Sequence, residues 1–137
     1  MNYWLIKNPP KRLIWGKFVT AGFYRLYGIR NRQARNYLAA MKPGDIVVYY
    51  QSQVEQSVRG IAKVISEAYP DPSSIDPQWV AVDLEPLTTF EKPISLEQLR
   101  CLPILAEIPL FRQPRLSVMS LTEAEYLAIR KLSDQLG

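Results

Sequence analysis

Two polar residues, Arg30 and Asn31, open a helical pattern, and two more, Gln51 and Ser52, close the apolar run that follows it. A guanidinium fork, two carboxamides and a hydroxyl offer donors and acceptors in defined directions. Such a set suits recognition of a planar polar group or an anion; it contains no general base. The 137 residues include no histidine, which removes the commonest base near neutral pH, Ser-His and Cys-His pairs, and histidine metal ligands. The 13 acidic residues are scattered without a recognisable carboxylate pair or metal spacing. The lone Cys101 excludes an internal disulfide and a multi-cysteine zinc site, and its surroundings predict inert packing. Gly16-Lys17 lacks the upstream glycine and following Ser/Thr of a phosphate-binding loop, and no dinucleotide fingerprint, helix-turn-helix or zinc-finger spacing occurs. The expectation is a binding module without enzymatic activity, cofactor or metal.

The elements that must position these residues are legible between Tyr27 and Ser52. Ala34, Tyr37, Leu38 and Met41 follow the i, i+3, i+4, i+7 spacing of an amphipathic helix, with Arg32, Arg35 and Asn36 on its other face. Asn31 is the N-cap, and Pro43-Gly44 ends the helix. Asp45 to Tyr50 then reads as a buried strand. Upstream, residues 3–7 predict a strand that stops at Asn8-Pro9-Pro10, since proline lacks the amide that continues a ladder. Residues 11–26 have no clean period and predict helical turns of unplaced boundaries. Downstream, Arg59 to Tyr69 reads as a long strand antiparallel to 45–52, and Trp79 to Leu87 as a half-buried strand after a proline-rich loop. Ser95 with Gln98 and Thr122 with Glu125 form capping boxes of two helices. Between them, residues 103–114 predict irregular structure and 115–119 an extended piece. Tyr126, Ile129, Leu132 and Leu136 give the last helix one apolar face. The fold class expected is α+β, one domain over 1–137, with a mostly antiparallel sheet curling into a small barrel.

Charge bears on the partner. Residues 1–66 carry eleven Lys/Arg against Asp45 and Glu55, a balance of +9, whereas residues 67–137 balance at −5. A basic half joined to an acidic one predicts a nucleic-acid-facing side. Lys11, Arg12, Lys17 and Arg25 interleave with Trp15, Phe18, Phe23 and Tyr24, a composition suited to phosphate contact and base stacking. Trp15 and Phe18 are assigned to the core, and Trp79 to core rather than to a ligand cage. Lys11, Arg12, Lys17, Arg32 and Arg35 are the candidate phosphate contacts. The apolar run Tyr3–Ile6 is too short for a signal or a membrane span, so the expected partner is no membrane and the expected location cytoplasmic.

Four motifs, in order, resemble the EVE-domain family of the PUA-like superfamily. They are Trp4-Leu5-Ile6-Lys7 before a proline turn; the hallmark Gly28-Ile29-Arg30-Asn31-Arg32-Gln33-Ala34-Arg35-Asn36; Met41 to Asp45 leading to Tyr50-Gln51-Ser52; and Arg115-Leu116-Ser117-Val118-Met119. The loop at 69–72 and Trp79 also look similar. The resemblance implies a PUA-like pseudo-barrel with flanking helices and a pocket for a modified nucleobase in DNA or RNA. It implies a base pocket lined by Lys7, Asn8, Arg30, Asn31, Gln51 and Ser52, with Arg115 and Ser117 at its rim. The chain departs from the family pattern where Asn8 stands for its pocket serine, Pro9 for its glutamate, Gln51 for its histidine and Leu26 for its tryptophan. Tyr24, Tyr27 and Tyr50 are then the candidate stacking rings. The alternative is a small-molecule or protein-interaction module on the same barrel that has lost base recognition.

Overall fold

The computed structural model describes residues 1–137. Its strands are β1 (Tyr3–Asn8), β2 (Tyr24–Leu26), β3 (Ile46–Gln51), β4 (Ser57–Val64), β5 (Tyr69–Pro70), β6 (Val80–Ser95) and β7 (Val118–Leu121). Its helices are α1 (Trp15–Ala21), α2 (Arg32–Ala40), α3 (Leu96–Arg100), α4 (Pro109–Arg112) and α5 (Glu123–Leu136), with a 3₁₀ turn at Pro103–Leu105. The sheet runs β2-β6-β4-β3-β1-β7, with β5 paired to β6. Every pairing is antiparallel except β1 with β3. Register shifts between β3 and β4 and twice between β4 and β6 bend these strands, and the sheet curls into the expected half-barrel.

Local chemistry explains most boundaries. The Asn31 side chain accepts from Ala34 N at 2.9 Å, and both expected capping boxes form, at Ser95 and at Thr122. The unplaced stretch 11–26 divides into α1 and β2 because Gly22 adopts φ 72° and turns the chain out of the helix. The strand expected over 59–69 ends at Val64 instead. There Ser66 Oγ accepts from Asp83 N at 2.9 Å and Ile65 N donates to Asp83 O, so side-chain and backbone bonds replace the ladder. The strand expected to close at Leu87 continues to Ser95. The stretch 103–114 is more ordered than its prolines suggest. Pro109 stands at the start of α4, where its missing amide costs nothing.

One cluster of buried apolar residues extends from Trp4 to Ile129 and includes Trp15 and Phe18, so the basic and acidic halves share a core. Asp45 sits inside it, buried, and its carboxylate accepts from Asn2 N, Trp4 Nε1 and Lys42 N at 3.0 Å each. This carboxylate ties β1 to the turn before β3. At Gly60 in β4, an added Cβ would lie 2.3 Å from Thr88 O and 2.4 Å from the Trp15 ring, so only glycine lets the indole lie across the strand. Cys101 departs from expectation: it is the exposed C-cap of α3, not a packed side chain.

Candidate functional site

Parallel pairing places the ends of β1 and β3 side by side, with Lys7 opposite Tyr50 and Asn8 opposite Gln51. The strand ends do not serve the one cavity expected: Lys7 and Asn8 line one groove, Lys7 and Tyr50 another, and Gln51 lines neither.

Gln51 is buried and fully used. Its Nε2 donates to Asn8 O and Leu13 O, and its Oε1 accepts from Trp15 N, each at 3.0 Å. It brackets the start of α1 and offers nothing to a ligand. Asn8 is equally buried, with Nδ2 3.4 Å from both the Tyr24 and Tyr49 hydroxyls. Leu26 is a core residue. Ser52 and Tyr50 line a separate groove.

What remains is an open groove of about 500 Å³ between the β1 end, the start of α2 and the segment before β7. Its lining brings together Lys7, Asn8, Arg30, Asn31, Arg115 and Ser117 from the expected set, and adds the Lys11-Arg12 loop and the Gly28 backbone. The eleven lining residues include five cations and no carboxylate. Beside it, Tyr24 and Tyr27 share a second hollow of about 450 Å³ with the same Lys11 and Arg12. Tyr27 is exposed, and the Arg12 guanidinium donates to its carbonyl. Burial pushes the Tyr24 phenol up from its ordinary pKa, and Arg12 and Asn8 offset only part of that, so the ring stays neutral.

The hallmark segment is locked by a residue not singled out from sequence. Asp71, buried in the 69–79 loop, accepts from Gly28 N at 2.7 Å, Arg30 Nη1 at 2.9 Å, and Ser73 N and Oγ at 2.7 and 2.6 Å. Burial alone would raise its pKa. The bonds from Ser73, Arg30 and Gly28 outweigh that and hold the carboxyl well below the usual range. Gly28 has φ 78°, and an added Cβ would meet the Arg12 guanidinium at 3.3 Å, so this glycine serves both the turn and the approach of Arg12.

Arg30 is thus both clamp and groove wall. Nη2 donates to Ser73 Oγ at 3.0 Å while 39% of the side chain stays exposed, enough to meet a ligand. Trp79, half-buried, lies between Arg30 and Arg35, whose guanidinium carbons are 5.5 and 5.8 Å from its ring centre. Arg35 also donates to Gln78 Oε1 and Asn36 Oδ1, at 3.1 and 2.9 Å. It is a structural strut on the face where a phosphate contact is expected. Arg32 is exposed on α2, and Lys17 projects from α1 outside both hollows. A sequence signal for Asp71 existed in the similar 69–72 loop, but nothing in its spacing connected it to Gly28.

The EVE-domain family model matches residues 2–132. The chain belongs to the EVE-domain family. Thymocyte nuclear protein 1 of Mus musculus is 34% identical, the alignment covering 97% of this chain and 74% of that protein. Among solved structures, the protein Rpa0253 from Rhodopseudomonas palustris superposes with a TM-score of 0.92 at 33% identity, covering 100% of this chain and 96% of its own. Human THYN1, solved in complex with 5-methylcytosine-containing DNA, superposes with a TM-score of 0.85 at 28% identity, covering 97% and 98%. The curled sheet and short helices of this EVE chain are accordingly those of a PUA-like pseudo-barrel.

Proposed function

We propose that this EVE chain is a non-enzymatic module that binds nucleic acid and reads a modified base in the groove between β1, α2 and the segment before β7. The carrying observation is that groove's charge: Lys7, Lys11, Arg12, Arg30 and Arg115 converge on it with no carboxylate among its walls. The first turn of α2 contains no acidic residue, so the positive end of the helix adds to the field. The complex of human THYN1 with 5-methylcytosine-containing DNA supports the same direction.

The division of labour follows from the geometry. Lys11, Arg12 and Arg115 hold phosphate as exposed cations, while Arg30, fixed by Asp71, presents a guanidinium edge in a set direction. Asn31 spends its Oδ1 on the helix cap, which leaves its NH₂ as a donor at the groove. Tyr27 and Tyr24, one hollow away across Arg12, supply the ring that Leu26 does not. Extracting a base from a duplex costs a few kcal/mol, which the phosphate contacts offset.

The test is fluorescence anisotropy with matched duplexes that differ only in one 5-methylcytosine, at near-physiological salt. Tighter binding of the methylated duplex, lost in Arg30→Ala while the variant remains folded by circular dichroism at the assay temperature, is the expected result. Equal affinity for both duplexes reduces the interaction to charge attraction and overturns the reader assignment. The alternative of a small-molecule or protein-interaction module without base recognition draws on the withdrawn Gln51 and buried Leu26, but the closed apolar cavity that would support it is not what the open cationic groove offers.

A further inference from the structure

The β3–β4 connection is strained. Gln53 and Gln56 adopt φ 69° and 47°, a left-handed conformation that residues with a Cβ rarely take. This turns the loop so that Ser52, Gln53 and Gln56 form one bank of a groove of about 420 Å³, faced by Tyr50, Leu110 and Lys7. The groove has no acidic lining residue. The Tyr50 and Ser52 hydroxyls and both glutamine amides have no side-chain partner within the protein, so several donors and acceptors converge there uncommitted.

This groove adjoins the base groove. Lys7 lines both, and its Nζ donates to Pro114 O at 2.6 Å, next to Arg115 on the rim of the first. The Lys7–Pro114 bridge is a low cationic ridge between two hollows of similar size. A cation at the ridge with hydroxyls and free amides beside it offers a phosphate contact followed by base-edge donors and acceptors, the order a single strand requires.

We propose that the groove of Tyr50, Ser52, Gln53 and Gln56 holds the nucleotide adjoining the recognised base in the same strand, with the linking phosphate on the Lys7–Arg115 ridge. This rests on the base-reading assignment above and extends it to sequence context. The strained glutamines read the edge of the neighbouring base, so preference extends beyond the modified position.

The experiment compares Ser52→Trp, which fills this groove without entering the base groove, with the wild-type chain. The probes are a single-stranded pentanucleotide with a central 5-methylcytosine and 5-methyldeoxycytidine monophosphate, measured by calorimetry. Support is a loss of about tenfold or more in pentanucleotide affinity with mononucleotide affinity retained, the scale of one stacked base. Unchanged pentanucleotide affinity overturns the subsite while leaving the base reading intact. Failure of the wild-type chain to bind either probe overturns the base reading and the subsite with it. As a second measurement, independent of Ser52→Trp folding, 4-thiothymidine placed next to the modified base is photocrosslinked to the wild-type chain. Adducts within residues 50–56 support the subsite, and adducts confined to other segments overturn it.

Discussion

At the scale of single residues, the site depends on one buried carboxylate. Asp71 joins the Gly28 turn, the Arg30 guanidinium and the Ser73 loop through four hydrogen bonds. Asp71→Asn is expected to lower stability by about 2 kcal/mol, the worth of hydrogen bonds to a charged group, and to free Arg30. Urea denaturation measures the first effect, and reduced discrimination between methylated and unmethylated duplexes the second. The pH dependence has a definite sign. The folded-state pKa lies below the unfolded value of about 4, so the unfolded chain takes up the proton first as pH falls. The Asp71 contribution is complete above that value and declines below it; denaturation in Asp71→Asn should lack this acid-limb component. Gly60 makes a similar demand by shape alone. Gly60→Ala must push the Thr88 carbonyl or Trp15 indole aside, and a loss of about 2 kcal/mol or more in urea denaturation is expected.

At the scale of elements, α2 has two tasks that substitutions at Asn31 separate. Asn31→Ala removes the cap bond to Ala34 N and is expected to cost about 1 kcal/mol in thermal or urea denaturation. Asn31→Asp keeps a capping acceptor and restores stability, yet it brings a carboxylate into the cationic groove. Nucleic-acid affinity should therefore fall in the aspartate variant while the fold stays intact. An aspartate variant that binds as well as wild type would show that Asn31 is only a cap. The β1–β3 pair shows where reading elements one at a time misleads. Both strand ends are expected at one cleft, but the groove takes Lys7 and Asn8 from β1 and no residue of β3, whose Tyr50 lines a separate groove and whose Gln51 is bonded inside. That split comes from what packs around each strand end, which the residue numbers do not carry.

For the whole molecule, the question is how the charge survives folding. Lys63 pairs with Glu85, Lys42 with Glu67 and Arg30 with Asp71, so the acidic half neutralises part of the basic one. The net field gathers at the groove, where Lys11, Arg12 and Arg115 face no carboxylate in the lining. With about three or four such phosphate contacts, log K against log salt should fall with a slope of roughly −3. Replacing Lys11 and Arg12 by alanine should flatten that slope by about 1 to 2, since each contact releases close to one counterion. Lys17→Ala, outside both hollows, should leave it unchanged. Anisotropy titrations across a salt series measure all three, and an equal effect at Lys17 would mean a diffuse field instead of a groove.

The sequence by itself determined the pieces whose causes are local. The α2 cap, the two capping boxes, the proline stop after Asn8 and the apolar face of α5 each follow from residues a few positions apart, where hydrogen bonding and side-chain period act directly. The four motifs also identified the family, because their order and spacing are properties of the chain. Only the tertiary structure decided which polar groups are free. Gln51 is consumed by Leu13 and Trp15, Arg35 by Trp79 and Gln78, and Arg30 is aimed by an aspartate 41 residues away. Whether a donor is available to a ligand depends on what else lies within 3 Å of it, and that distance is set by packing across the barrel rather than by separation along the chain.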